Sequence, residues 1–246
     1  MNRRVAKLFA LTTEKRFRRG LMYGVAAAVE HRGVLQSINP EFIVDIGANK
    51  GQFALIAAEI HPSVPLIAFE PLSEPSATFR RVFGDESHIR LHQFAIGPGP
   101  RKASMNVSGR ADSSSLLPIA QAQAKQFKGT EAVGTEDVDV APLSGFIRPS
   151  MLDRQALLKI DVQGYELETL KACEPLLSQF RWVYVELSFV EFYMGQALAH
   201  EVIMYLARRG FRIGGLYNVI LSKEGRSIQC DCLFESCQPA PEGRPA

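Results

Sequence analysis

Phe42-Ile-Val-Asp-Ile-Gly-Ala-Asn-Lys-Gly51 is the stretch on which the reading of this chain turns. An apolar run carrying Asp45 enters a turn bounded by Gly47 and Gly51, and the turn opens into a helix-like segment, 52–60. A second apolar run, 66–69, leads straight into Glu70 and Pro71. The pattern predicts a strand–loop–helix–strand unit with an acid at the tip of its second strand. From that position a carboxylate can accept hydrogen bonds from both hydroxyls of a ribose. Glycine at 47 and 51 leaves the loop backbone open to a ligand's approach. The unit therefore predicts a ligand that carries a nucleoside.

Working outward, the same rhythm continues. Residues 74–83 read as a second helix and 89–96 as a third strand. After an irregular middle, 157–161 is another apolar strand ending in an acid, Asp161, followed by an amphipathic helix over 165–177. A strand over 182–187 carries Glu186 near its tip, and 200–209 is helical. Then come a strand over 211–216 and a hairpin over 219–234, broken at Lys223-Glu-Gly225. Between the two halves, 103–107 is a short strand, 109–115 a polar loop, 119–135 shows no clear period, and 136–143 is an edge strand. Alternation of this kind indicates an α/β fold: a doubly wound, mostly parallel sheet with helices on both faces. No repeat or linker divides it. Residues 1–40 read as an N-terminal helical cap, 41–237 as one domain, and 238–246, with three prolines, as a disordered tail.

Composition narrows the partners. Of 246 residues 46% are apolar, with 15 Phe, which describes a globular chain with a sizeable core. A net charge of +2 is too small to argue for nucleic acid. No apolar run approaches the roughly 20 residues of a transmembrane segment. The first twenty residues hold Arg3, Arg4, Lys7, Lys15, Arg16, Arg18 and Arg19 against one acid, Glu14, while Val5, Leu8, Phe9 and Thr12 follow helical spacing, the pattern of a basic amphipathic helix. Such a helix could touch an anionic membrane surface, although packing on its own domain or on a second subunit, as in a homodimer, is the simpler reading. Four cysteines make no disulfide framework, so a cytoplasmic location is the default. Cys230, Cys232 and Cys237 lack the spacing of a zinc site and read as small apolar side chains.

A dinucleotide site would favour Gly-x-Gly-x-x-Gly facing a pyrophosphate. Here an acid stands two residues before the first glycine, which repels pyrophosphate and suits a cationic nucleoside such as S-adenosylmethionine. Asp45-Ile-Gly-Ala-Asn-Lys-Gly51, Phe69-Glu70-Pro71, Ser113-Ser-Ser-Leu116 and Lys159-Ile-Asp-Val-Gln-Gly-Tyr-Glu166 together resemble the FkbM family of S-adenosylmethionine-dependent methyltransferases. The resemblance implies a class I methyltransferase fold, with a seven-stranded sheet and an antiparallel C-terminal hairpin, and methyl transfer to oxygen. It implies cofactor contacts from Asp45, Gly47, Asn49, Gly51 and Glu70, an adenine site at Phe94 and Ala95, and Ser114 in a loop over the ligand. Two positions depart from the family's pattern. Ala54 stands where Ser or Thr is usual, and Gln163 where Glu is usual.

Asp161, ending the strand beside the first, should lie near the transferring methyl, with Glu186 on the adjacent strand. Either could take the acceptor's proton, or the two could hold a divalent ion such as Mg2+ that acidifies an alcohol. The five histidines, His31, His61, His88, His92 and His200, sit in no motif. The leading expectation is an O-methyltransferase acting on a hydroxyl of a small acceptor, foremost a sugar of a glycolipid or other natural product. The alternatives are a methyltransferase-fold binding or scaffold protein that has lost turnover, and a dinucleotide-dependent oxidoreductase, which Asp45 disfavours.

Overall fold

The computed structural model describes residues 14–152 and 155–238. In chain order its strands are β1 (Phe42–Ile46), β2 (Leu66–Phe69), β3 (Ile89–His92), β4 (Ala95–Ile96), β5 (Arg101–Ser108), β6 (Ala132–Ala141), β7 (Ala156–Ile160), β8 (Phe180–Ser188), β9 (Phe211–Leu221) and β10 (Ser227–Ser236). Seven of them form one sheet in the order β3-β2-β1-β7-β8-β10-β9. All run parallel except β10, which is antiparallel to both β8 and β9. This is the class I methyltransferase arrangement. β1, β2 and β7 are buried along their whole length, which is why they read as unbroken apolar runs.

Helices cover both faces. On one, Ile43, Leu157 and Tyr184 of the sheet pack against α1 (Lys15–Met22), α2 (Arg32–Ser37), α3 (Gln52–Ile60) and α4 (Ser73–Phe83) through Phe17, Leu35, Phe53 and Phe79. On the other, Val44, Leu158 and Val185 meet α6 (Glu166–Ala172), α7 (Glu174–Leu177) and α8 (Ala199–Ala207) through Leu170, Leu176 and Leu206. A short helix, α5 (Gln121–Gln126), lies in the irregular middle segment. In α1, Arg16 bonds Glu86 and the Ala58 carbonyl, and Arg19 pairs with Asp85, so these two cations are spent on the domain itself. The rest of the basic stretch before Glu14 lies outside the described residues.

Five readings change, one being that the expected edge strand 136–143 belongs to β6, the middle strand of a three-stranded second sheet. The expected strand 89–96 is two strands: after His92 the chain leaves the main sheet, turns Phe94 onto Phe146, and pairs Ala95 with Val140 in a second sheet, ordered β4-β6-β5. The expected helix 165–177 breaks at Cys173, because Pro175 lacks the N–H that a continuous helix would use. The expected strand 211–216 and the first arm of the hairpin are one long strand, β9, which accommodates the irregular stretch through register shifts against β10. The stretch 119–135, without period in sequence, contains α5. Cys173, Cys230 and Cys232 are buried in the apolar core, and Cys237 is exposed.

Glycine at 47 answers a constraint from the fold. Its φ is +81°, and a Cβ there would lie 1.8 Å from the Asp161 carbonyl oxygen, because the turns after β1 and β7 touch. Gly47→Ala should therefore cost about 2–4 kcal/mol, combining left-handed strain with a backbone clash. Gly99→Ala, at φ +75° with open space around it, should cost only the strain, about 1–2 kcal/mol. Urea denaturation of the two variants checks this, and equal losses would contradict it.

Candidate active site

The carboxyl ends of the parallel strands are laced together by backbone bonds. The Gly47 and Ala48 amides both donate to the Phe69 carbonyl, Glu70 N donates to His92 O, and Asp161 N to Ile46 O. Above these tips opens a cleft of two chambers. The first, of about 240 Å³, is lined by Gly47, Ala48, Asn49, Gln52, Glu70, Phe94, Ala95, Ser114 and Asp161, among others. The second, of about 330 Å³, is lined by Arg110, Ser113, Gln123, Glu186, Asn218, Gln229 and Asp231, among others. Glu30, His31, Asp112, Asp161 and Gln163 border both.

In the first chamber Glu70 is fixed by the backbone around it. Its Oε2 accepts from Asn49 N at 2.9 Å and its Oε1 from Leu72 N at 2.8 Å. Burial pushes its pKa up to about 7, against the pull of these two amides. Asn49, at φ +47°, holds the left-handed turn that aims its amide at Glu70. Asn49 Oδ1 and Gln52 Oε1 are buried on the chamber wall, with no donor among the described residues. Phe94 reaches the wall because the chain breaks between β3 and β4. Ser114 is buried there as well, its hydroxyl accepting from Ser108 N.

Two assigned residues are placed differently. Gly51 does not line the cleft; at φ +97° its missing side chain makes room for the rings of Phe83 and Phe79, 2.5 and 3.0 Å from where a Cβ would stand. Asp45 is fully buried below the cleft floor and faces Lys159. Ala54 is likewise in the core, so the hydroxyl usual at that position has no counterpart on the chamber wall.

Strand register explains the charge pattern. Asp45, Lys159 and Tyr184 are neighbours across β1, β7 and β8, so their side chains share one face. Two residues further along, on the same face, come Asp161 and Glu186, with Asp231 opposite Glu186. Lys159 Nζ lies 3.1 Å from Asp45 Oδ1 and 3.7 Å from Asp161 Oδ2, donates to the Gly47 carbonyl at 3.3 Å, and stands 5.4 Å from the Phe53 ring centre. Burial works against its charge, but Asp45 and Asp161 outweigh that, and the lysine pKa lies above its ordinary value. Burial pushes Asp45 up while Lys159 draws it back, and its oxygens make an ion pair without a well-aligned hydrogen bond. A charged residue in the apolar run 156–160 was the signal for Lys159, which sequence reading passed over.

Gln163 ties the acids together. Its amide donates to Asp161 Oδ1 at 2.7 Å and to Glu186 Oε2 at 3.0 Å. Its Oε1 lies 2.7 Å from the Tyr193 hydroxyl, and its backbone carbonyl accepts from Ser115 Oγ at 2.6 Å. The serine loop is thus pinned to the turn after β7: all three of its serines are buried. Burial, with Asp161 and Asp231 nearby, pushes Glu186 well above the ordinary carboxylate range. The gap between Asp161 and Glu186 holds N–H donors, which repel a cation. Among the described residues no group of three or more His, Cys, Asp or Glu could hold a metal ion. This donor set does not fit Mg2+.

The Methyltransferase FkbM domain matches residues 45–213. Among curated relatives, the 2-O-methyltransferase NoeI of Sinorhizobium fredii is 25% identical over 190 residues, which cover 74% of this chain and 78% of that protein. Methyltransferase 1 of Beauveria bassiana is 29% identical over 146 residues, 54% of this chain, and the match spans 58% of that relative's length. A solved rRNA methylase from Streptococcus thermophilus has 13% sequence identity and a TM-score of 0.46, covering 84% of this chain and 94% of its own.

Lys159 should be the most costly side chain of the cleft floor to remove. Lys159→Met leaves Asp45 buried without its counter-charge and should lose about 3–5 kcal/mol. Replacing both, as Asp45→Leu with Lys159→Met, should recover much of that loss. Chemical denaturation of the two variants measures this; a single-variant loss no larger than a surface ion pair's, under about 1 kcal/mol, would contradict it.

Proposed function

Because the chain belongs to the FkbM methyltransferase family, we propose that it is an S-adenosylmethionine-dependent O-methyltransferase whose acceptor is a sugar hydroxyl. The observation that carries this reading is the Glu70 carboxylate, held by two backbone amides at the tip of β2 and facing the first chamber. Its remaining lone pairs suit the two hydroxyls of a ribose. The donor-free oxygens of Asn49 and Gln52 suit the ammonium at the other end of the ligand. Phe94, Ala95, Ile96 and Leu72 offer an apolar slot for adenine. When bound, S-adenosylmethionine supplies an electrophilic methyl group on a sulfonium.

The second chamber supports the choice of a hydroxylated acceptor. Arg110, Gln123, Asn218, Gln229 and Glu186 give it both donors and acceptors on several sides, the pattern that binds a polyhydroxy compound. Asp161 and Gln163 stand between this chamber and the first, where the acceptor oxygen must approach the methyl. Their role is alignment, since displacement at carbon requires nucleophile, carbon and leaving sulfur in line. The name of NoeI, a 2-O-methyltransferase, supports transfer to oxygen.

The direct test supplies S-adenosylmethionine with a labelled methyl group and a panel of methyl glycosides. Label should appear as an O-methyl ether on at least one sugar; transfer to nitrogen alone, or to no glycoside, would overturn the acceptor assignment. The cofactor site has its own test. Glu70→Ala should weaken S-adenosylmethionine binding by about 1.5–3 kcal/mol. With a Glu70 pKa of about 7 and the ribose hydroxyls donating to the ionised form, wild-type affinity should rise as pH passes upward through 7, with proton release on binding. Calorimetry showing an affinity independent of pH, in wild type and Glu70→Ala alike, would reject the ribose role.

A further inference from the structure

His31 borders both chambers, yet it lies in no motif and far from the other site residues in sequence. We propose that Nε2 of His31 is the general base that accepts the proton of the acceptor hydroxyl, and that Asp231 and Tyr184 are positioning residues that hold the imidazole in the tautomer this requires. The inference rests on the methyl-transfer reading above and concerns only which group takes the proton.

His31 ends a single 3-10 turn, Val29–His31, anchored to the cleft by the Ala28 amide, which donates to the Gln52 carbonyl at 3.0 Å. The ring stands edge-on to Phe53 and Tyr184, with centroids 5.5 and 5.6 Å away. Its Nδ1 lies 2.9 Å from the Tyr184 hydroxyl, 3.3 Å from Asn218 Nδ2 and 3.6 Å from Asp231 Oδ2. Asn218 Nδ2 donates to the same Asp231 oxygen at 2.7 Å and so fixes the carboxylate. Tyr184 can accept the Nδ1 proton while its own hydroxyl donates to Asp231, which leaves the lone pair on Nε2. The Asn218 amide is committed to Asp231 by the shortest of its contacts. Nε2 has no hydrogen-bond partner among the described residues, and the residue faces the passage that the methyl must cross.

The carboxylates nearby are less suited to the task. One Asp161 oxygen accepts from Gln163 and the other faces the Lys159 ammonium. Asp112 is paired with Arg110 at 3.0 Å. Glu186 borders only the second chamber and accepts the other Gln163 N–H. Around His31, burial lowers the imidazole pKa from its ordinary 6.5; Asp231, Glu30 and Asp161 oppose this and Lys159 adds to it. The net result is a neutral ring at pH 7. In the step itself the acceptor oxygen uses a lone pair to form the new C–O bond while the C–S bond breaks, its electron pair staying on sulfur. The hydroxyl proton passes to Nε2, then to water.

Two measurements test the proposal, and one needs no acceptor. Nitrogen-15 NMR of the wild-type protein at pH 8 should show His31 as the Nδ1–H tautomer, and Asp231→Asn should move population toward Nε2–H. An Nε2–H tautomer in the wild type would overturn the proposal, whether or not an acceptor has been found. With any methyl glycoside that the wild type methylates, His31→Gln should lower kcat about 10²–10⁴-fold and leave S-adenosylmethionine affinity unchanged; a wild-type kcat would overturn it. Should His31→Gln fail to fold, the wild-type pH profile decides. Its rate should fall on the acid side with a midpoint below 6.5, and Asp231→Asn should move that midpoint lower. A profile flat through that range would reject the role. Absence of transfer to every glycoside would instead count against the proposed function and leave the tautomer result standing.

Discussion

The ammonium of Lys159 is the interaction on which the cleft depends. It is buried, and it is the cation nearest to Asp45 and Asp161 on the floor of a site whose walls also carry Glu70, Glu186 and Asp231. The parallel register of β1 and β7 puts Lys159 directly beside Asp45, and the two-residue period of β7 puts Asp161 next along the same face. A buried ammonium among carboxylates favours their charged forms and opposes the rise that burial imposes on Asp45. Lys159 Nζ stands 3.1 Å from Asp45 Oδ1 and 3.7 Å from Asp161 Oδ2, at the edge of the first chamber. The lysine also bonds the Gly47 carbonyl, so the ion pair and the turn that lines the first chamber form one unit.

Gln163 links Asp161, which Lys159 also faces, to Glu186. A glutamate at this position, usual in the family, would put a third carboxylate between Asp161 and Glu186. The amide supplies a donor to each instead and turns its own oxygen to Tyr193. Through Tyr193 and Ser115 the same residue anchors the loop that closes the cleft from the second sheet. The strained φ of +55° at Gln163 and the absence of a side chain at Gly164, where a Cβ would meet the Tyr193 ring, belong to this packing. The departure at 163 is thus built into a satisfied network, and the chain need not carry a metal there to balance its charges.

Much of the fold was legible because buried parallel strands leave unbroken apolar runs and because Glu70 and Asp161 mark strand ends. Where a side chain points was harder to read. Asp45 shares a face with Ile43, toward α3 and away from the cleft mouth, and only the register with Lys159 shows what it meets. Gly51 looked like a place for ligand, but Phe79 and Phe83 occupy that space. The break between β3 and β4 left no mark in the sequence, since Gln93 and Phe94 could continue a strand; pairing with β6 decides it. His31 and Asp231 are brought together from opposite ends of the chain by the contact between the 3-10 turn and β10's neighbour β9, and no local pattern could have joined them.

In the proposed function the two chambers divide the labour of methyl transfer, nucleoside on one side and acceptor on the other. A crystal structure of the protein with S-adenosylhomocysteine tests it most directly. The ribose hydroxyls should lie within hydrogen-bond distance of Glu70, the adenine beside Phe94 and Ala95, and the sulfur at the passage bordered by His31, Asp161 and Gln163. A ribose turned away from Glu70, or a nucleoside lodged in the chamber lined by Glu186 and Asp231, would contradict the account.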